Sequence, residues 1–321
     1  MGPRLNASRR NRKIVLSNKS SGRIQRTHSM THTFHQISPH VHWLSPDSTT
    51  DRPLLGVISG AAGSLIVDAG NSPAHARILL KEIERHKLPA PAYLFLTHWH
   101  WDHVFGGARF SLPTFAHHET VRIVERMSQF DWSNAALDQR VRDGLEIEFC
   151  RDMLKAELPD RSSLVIRPPE IAISGQVNVH LGDVTCQLIH VGGDHAHDST
   201  VAFVPEDRLM FLGDCIYDDL HHGPRRVTTK KLLPLYERLL AYDADYYLPS
   251  HHSEPVTRQA LAEEYALMTE IGQTVYRLGD NRESILAALP EVLGCPLETD
   301  HIEIADAFLA GLRLPEVESV L

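Results

Sequence analysis

Cysteine is sparse and unpatterned in this 321-residue chain: Cys150, Cys186, Cys215 and Cys295 form no C-x-x-C pair. That spacing offers neither a disulfide framework nor a thiolate zinc site, and it makes a reducing, cytoplasmic setting the expectation. Long apolar runs are missing too. No stretch approaches the ~20 consecutive apolar residues of a spanning helix, and the N-terminus lacks the apolar core of a secretory signal. A soluble protein with no membrane partner is expected. Acidic residues are absent before Asp47, whereas residues 1–29 hold eight of the 32 Lys/Arg. The other 24 basic residues face all 41 Asp/Glu, which leaves the rest of the chain at −17. A folded body of that sign disfavours nucleic acid, whose binding needs a basic surface. A small-molecule substrate is the expected partner.

What is present allows a substantial core: 42% of residues are apolar, and the length suits one globular domain with appendages. Residues 1–29 are basic, Ser/Asn-rich and without apolar periodicity, which reads as a disordered tail. A transit-like segment, a nucleic-acid arm, or an over-extended reading frame with Met30 as the native start are the alternatives. From Phe34 short β-like runs begin, "HVHWL", "LLGVIS" and "SLIVDAG". A helical stretch follows with Pro73 near its first turn and Ile78, Leu79, Ile83 and Leu88 at helical spacing. "AYLFLT" then reads as a strand buried on both faces, completing a βαβ unit. Residues 119–160 read as a helical insertion within a domain spanning 30–256. Further strands follow it, and residues 257–321 read as a C-terminal helical extension. In that extension Leu261, Tyr265, Met268, Ile271 and Val275 share a stripe, and Asp280 and Glu283 have capping-box spacing for the next helix.

Histidine is the anomaly, with 21 copies. "YLFLTHWHWDHVFGG" crowds His98, His100, Asp102 and His103 directly after an apolar run. In an extended or loosely turned segment His98 and His100 project to one side, while Asp102 and His103 reach toward a second nearby point. Imidazole and carboxylate suit a borderline divalent cation, and burying them unpaired would be costly. A His-rich surface loop is the plain alternative, but it leaves the placement at a strand end unexplained. Ligand-type residues recur after three later apolar runs: His195, with His190 and His197 as competitors; Asp214; and His251 beside His252. Strand ends are where open sheets usually build sites.

In these motifs the chain resembles the metallo-β-lactamase superfamily, from about Phe34 to His252. His98, His100, Asp102 and His103 match H-x-H-x-D-H, "VDAG" with Asp68 matches the acidic motif before it, and "DHAHDS", "GD" and "PSHH" match the later ones. The resemblance implies an α/β (α+β) fold, a four-layer αββα sandwich with two metals in a groove at one edge of its sheets. It assigns His98, His100 and His195 to a first metal, Asp102, His103 and His251 to a second, Asp214 to a bridge, and Asp68 to a supporting carboxylate behind the histidine loop. A plain strand-end turn is the alternative for Asp68. His197 stands where proline is common and His252 where glycine is common, so either would compete for a metal or line the groove.

The implied cofactors are two divalent ions, zinc foremost, with iron or manganese as alternatives. The implied reaction is hydrolysis by a metal-bridged hydroxide of an ester, thioester or lactone-type carbonyl, with Asp102 orienting the nucleophile and moving its proton. The complete His/Asp set resembles glyoxalase II-type thioesterases and lactonases more than β-lactamases. Tyr217 has the spacing of a tyrosine that contacts substrate carbonyl oxygen in lactone-cleaving members, or is a core residue. A mononuclear-iron sulfur dioxygenase, a β-lactamase-type amide hydrolase and a metal-binding module without catalysis stay open. Phe130 and Trp132 in the insertion either roof the groove or belong to an ordinary packed helix pair.

Overall fold

The computed structural model describes residues 32–313, so the basic tail 1–29 lies outside the described residues. Among the described residues, thirteen strands form two sheets. The first orders β1 (Phe34–Gln36), β2 (Val41–Leu44), β3 (Leu55–Gly60), β4 (Gly63–Val67), β5 (Pro91–Phe95), β6 (Thr114–His117) and β7 (Ile171–Ile173) side by side in chain order. Strands β1 to β4 are an antiparallel meander, and β4 to β7 run parallel. Parallel neighbours need crossovers. The β4–β5 crossover is α1 (Pro73–Arg85), with Ser72 capping its N-terminus by accepting from the His75 backbone N–H and Pro73 in its first turn. Between β5 and β6 lies the short helix α2 (Trp101–Val104). The β6–β7 crossover carries three helices, α3 (His118–Met127), α4 (Asn134–Arg142) and α5 (Glu148–Glu157).

The second sheet comprises β8 (Gln176–His180), β9 (Thr185–His190), β10 (Thr200–Val204), β11 (Leu209–Gly213), β12 (Tyr246–Pro249) and β13 (Val256–Thr257), in the order β13-β12-β11-β10-β9-β8. Its one parallel pair, β11 with β12, is crossed by α6 (Thr229–Ala241). The chain changes sheets between β7 and β8, where Gly175 takes φ 72°. Helices α7 (Arg258–Leu278), α8 (Arg282–Leu293) and α9 (Thr299–Arg313) follow.

Three apolar clusters fill the spaces between layers. Ile58, Leu65 and Phe95 of the first sheet meet Leu188, Phe211 and Leu248 of the second. Leu79 and Ile123 pack helices onto the outer face of the first sheet, and Leu235, Met268, Ile271 and Phe308 pack α6, α7 and α9 onto that of the second. The result is the αββα sandwich. The sheets approach closely at Gly56, where a Cβ would meet the Phe211 ring at 2.5 Å. No described helix is long and apolar enough to cross a membrane.

Two local readings change. Strand β5 is fully buried only toward its C-terminal end, its first three residues being partly exposed, because β6 pairs only with Leu94 and Phe95. The α8 cap is Asn281, not Asp280: its Oδ1 accepts from the Ser284 backbone N–H at 3.1 Å. Either side chain suits a cap, and Gly279, in a left-handed conformation at φ 70°, ends α7 so that the extended residue before the next helix falls at 281.

Candidate metal centre

The histidine loop is held by one aspartate. Asp68 directly follows β4 and lies in the left-handed region at φ 63°, a conformation that is uncommon outside glycine. Its carboxylate accepts from the Thr97 backbone N–H at 2.8 Å and from the Thr97 hydroxyl, and contacts His103 Nδ1 at 2.7 Å. Backbone bonds repeat the clamp: Ala69 N–H donates to the His103 carbonyl at 2.8 Å and Gly106 N–H to the Gly70 carbonyl at 2.9 Å. A Cβ at Gly106 would meet the Ala69 carbonyl oxygen at 2.0 Å, so only glycine lets the loop seat this deeply. His98 and His100 precede α2, and Asp102 and His103 lie within it. The change from the bends at residues 97–99 to the helix beginning at Trp101 turns the two pairs toward different points.

Two groups of ligand-type side chains result, the donor atoms of each lying within 4.8 Å of one another. The first joins His98, His100 and His195, all buried. The second joins Asp102, His103, Asp214 and His251. Asp214 follows β11 and lies between them: its Oδ2 is 3.3 Å from His195 Nε2 and 3.2 Å from His251 Nε2, and its Oδ1 is 3.6 Å from His103 Nε2. Asp102 Oδ2 stands 3.3 Å from both His103 Nε2 and His251 Nε2.

Second nitrogens fix the ring orientations. His98 Nδ1 lies 3.0 Å from the Thr97 hydroxyl, and His195 Nδ1 2.9 Å from the Asp218 carbonyl oxygen. In the second group the supports are carboxylates: Asp68 behind His103, and Asp51 Oδ1 at 3.6 Å from His251 Nδ1. Asp51, like Asp68, is a buried non-glycine residue with positive φ, 57°. Its turn is anchored by Arg52 and Thr50, which both bond the Glu157 carboxylate at the end of α5.

The electrostatics of the side chains separate the groups. Burial, with the neighbouring imidazoles adding to it, pushes His98 and His100 well below the ordinary histidine value, which keeps them neutral. Burial also pulls on His103, but the Asp102, Asp68 and Asp214 carboxylates outweigh it and hold that ring well above its ordinary value. Asp214, despite its own burial, is held well below the usual carboxylate range by His251 and His103.

A divalent cation fits this donor set. His98 Nε2 is buried with no hydrogen-bond partner, a costly state for an imidazole nitrogen that ligation would relieve. Asp214 Oδ2 lies within 3.3 Å of a nitrogen from each group, the placement of a shared carboxylate.

The other sequence candidates fall elsewhere. His190 stacks on His117 with centroids 4.0 Å apart and bonds the His197 carbonyl. The His197 side chain is 43% exposed, 3.9 Å from Glu119. His252 stacks over Tyr217 at 6.3 Å and joins neither group. Tyr217 is buried beside the second group, where its hydroxyl accepts from the His251 backbone N–H at 3.2 Å. Burial and the Asp214 charge push that phenol well above its ordinary value. Trp132 packs edge-on against the buried Phe105 ring at 4.9 Å, its indole N–H donating to the Met127 carbonyl. It thus joins the apolar layer under the first sheet. The crossover nears the metal groups instead through Glu146, 3.8 Å from His221, whose ring lies 4.6 Å from that of His100. Sequence reasoning missed Asp51, Glu146 and His221, and histidine density was the only signal that touched any of them.

Known proteins share this fold. The profile of the metallo-beta-lactamase superfamily matches residues 54–251. No curated protein matches the chain. Among solved structures, a metallo-beta-lactamase from Pontibacter korlensis superposes with a TM-score of 0.52 at 19% identity, covering 74% of this chain and 98% of that one. A metallo-beta-lactamase family protein from Thermus thermophilus gives 0.55 at 16%, covering 85% and 92%. A stereoselective inverting sec-alkylsulfatase from Pseudomonas sp. gives 0.60 at 14%, covering 87% of this chain and 49% of that one. At these identities the structural likeness establishes the fold.

Proposed function

The chain belongs to the metallo-β-lactamase superfamily, and from that premise we propose that it is a binuclear metal-dependent hydrolase acting on an ester, thioester or lactone-type carbonyl of a small molecule. The observation that carries the reading is Asp214, whose carboxylate lies within ion-pair distance of His195, His103 and His251 and so joins a complete set of histidine and aspartate donors. His98, His100 and His195 would hold one ion and Asp102, His103 and His251 the other, with Asp214 shared; zinc suits the donors best, and iron or manganese fit them as well. Two such ions supply Lewis acidity and lower the pKa of water, so that hydrolysis needs no protein nucleophile.

The chain's own residues supply the rest. His98 and His100, kept neutral by burial, are available as ligands at neutral pH. Asp102 is buried, with Oδ2 3.3 Å from two imidazoles, where it can orient a water and take its proton. Tyr217 stays protonated across the working pH range. While accepting from the His251 N–H it retains a hydroxyl proton to donate to a substrate carbonyl oxygen, where negative charge develops. Burial of these groups excludes bulk water and strengthens each interaction.

The test is a metal count on the full-length protein together with a panel of esters, thioesters, lactones, β-lactams and secondary alkyl sulfates. About two ions per chain with turnover of a carbonyl ester, thioester or lactone is the expected result. Turnover confined to β-lactams or alkyl sulfates would move the substrate class, and one iron with oxygen consumption would replace hydrolysis by oxygenation. Two bound ions with no turnover on any arm would sink the proposal.

A further inference from the structure

A third cluster of ligand-type side chains lies outside the two groups. Glu146, in the connection between α4 and α5, Cys150, in the first turn of α5, and His221, in the loop after Asp214, bring one donor atom each within 4.8 Å of one another. They come from two segments about seventy residues apart in sequence, and nothing in the recognised motifs accounts for them. We propose that Glu146, Cys150 and His221 form a third metal site, suited to a thiophilic divalent ion such as zinc, which fastens the helical crossover to the loop carrying Asp214.

Donor chemistry comes first. One sulfur, one imidazole nitrogen and one carboxylate oxygen are a set that zinc accepts, and three protein ligands leave a fourth position for water or a substrate atom. Ligands sharing a tetrahedral ion at bond lengths of about 2.0–2.3 Å sit about 3.3–3.6 Å apart. Glu146 Oε1 and His221 Nδ1 are 3.8 Å apart, so a contraction of a few tenths of an ångström brings that pair to ligand spacing, and the Cys150 sulfur lies within 4.8 Å of both. The ligand-type pairs around Asp214 span 3.2 to 3.6 Å.

Burial gives the second argument. Cys150 is only 6% exposed, while the Glu146 and His221 side chains keep 16% and 17%, enough for an ion to enter and for its fourth position to meet solvent. Glu146 Oε1 accepts from the Ile147 backbone N–H at 2.9 Å, which fixes its rotamer. Burial pushes the Glu146 carboxyl up, against opposing pulls from the Ile147 backbone N–H, the Arg140 charge and a hydrogen bond with Cys150, while the Asp102 charge adds to the upward push. A cation held by Glu146 would offset both penalties. His221 is also the bridge to the first ligand group, since its ring lies 4.6 Å from that of His100. An ion there would order the crossover against the loop that carries His221, beside His100.

Neither ligand group contains sulfur, so sulfur spectroscopy isolates the third site. The metal-free full-length protein is titrated with cobalt(II) and read for a thiolate-to-cobalt charge-transfer band, and bound zinc is counted in parallel. The expected result is the band together with a third equivalent of zinc. Cys150→Ser should abolish both and leave two equivalents, and His221→Ala should weaken the third equivalent by about tenfold or more. Wild-type protein that binds cobalt without the band overturns the site, whatever the variants do. So does a band that survives Cys150→Ser, above all one that disappears in Cys295→Ser, because Cys295 is exposed and belongs to no ligand-type cluster among the described residues. Loss of this site would leave the hydrolase reading standing, and absence of hydrolysis would leave the band unaffected.

Discussion

The two ligand groups draw on one histidine loop, yet they are built on opposite electrostatic plans. In the first, three imidazoles converge, and His98 and His195 are oriented by neutral groups, the Thr97 hydroxyl and the Asp218 carbonyl. In the second, two imidazoles share the space with Asp102 and Asp214, and the supports behind them, Asp68 and Asp51, are again carboxylates. The first group would therefore hold a cation by the placement of neutral donors, the second by accumulated negative charge. A carboxylate behind a ligating histidine fixes its tautomer and raises its basicity, so the second ion should depend more on residues that never touch it. Both supporting aspartates adopt left-handed backbone conformations, a strain that the surrounding bonds must offset.

Asp214 belongs to both plans, and its removal should have the largest effect. Asp214→Ala is expected to leave at most one tightly bound ion and to lower kcat/KM by about a thousandfold or more. Retention of two ions on elemental analysis would show that the groups are not joined through this carboxylate. His98→Ala comes next: it should release one ion, leave the carboxylate-rich group loaded, and abolish nearly all turnover. Loss of both ions in this variant would mean that the groups do not bind independently.

The supports sharpen the contrast further. Asp68→Asn should weaken binding of one ion by about 10–100-fold, read by competition with a chelator, while the other ion is held as before. Asp51→Asn should shift the same ion less, since its contact with His251 is 3.6 Å against 2.7 Å for Asp68 and His103. Equal weakening of both ions by either change would erase the distinction between the groups. Tyr217→Phe should spare metal content and lower kcat by roughly tenfold to a hundredfold, the scale of losing one donor to a developing oxyanion. A loss of metal instead would show that the hydroxyl matters through the His251 backbone.

The sandwich and the clustering of ligand-type side chains were legible because each depends on short-range pattern. Ligand-type residues lie beyond the C-terminal ends of β5, β9, β11 and β12, Asp68 follows β4 directly, and the i, i+2 spacing of His98 and His100 carries its own geometry. What could not be read depends on distant contacts. Asp51 meets His251 only because the turn after β2 is pinned by Arg52 and Thr50 to Glu157, about a hundred residues on. The third cluster likewise needs the crossover folded over the loop after Asp214. Trp132 shows the same limit from the other side: an aromatic residue near the site in sequence packs against Phe105, because a large apolar ring gains most where it is best buried.

The smallest expected effect tests the point at which sequence alone offered two answers. His195 and His197 are two residues apart, and each follows the run "CQLIHV" closely enough to serve as a ligand. The structure separates them through their partners. The His195 ring is turned inward by the bond from Nδ1 to the Asp218 carbonyl, which aims Nε2 at Asp214. The His197 ring faces outward, 43% exposed, with Glu119 as its nearest acidic neighbour at 3.9 Å. At that exposure and distance the pair contributes little, on the scale of surface ion pairs at about 0–1 kcal/mol. His197→Ala should therefore keep both ions, keep kcat/KM, and shift stability by no more than about 0.5 kcal/mol, as surface substitutions do. His195→Ala should lose an ion from the neutral-donor group. Metal retained in the His195 variant and lost in the His197 variant would require the loop between β9 and β10 to run in a different register, with Asp214 then lacking its contact to the first group.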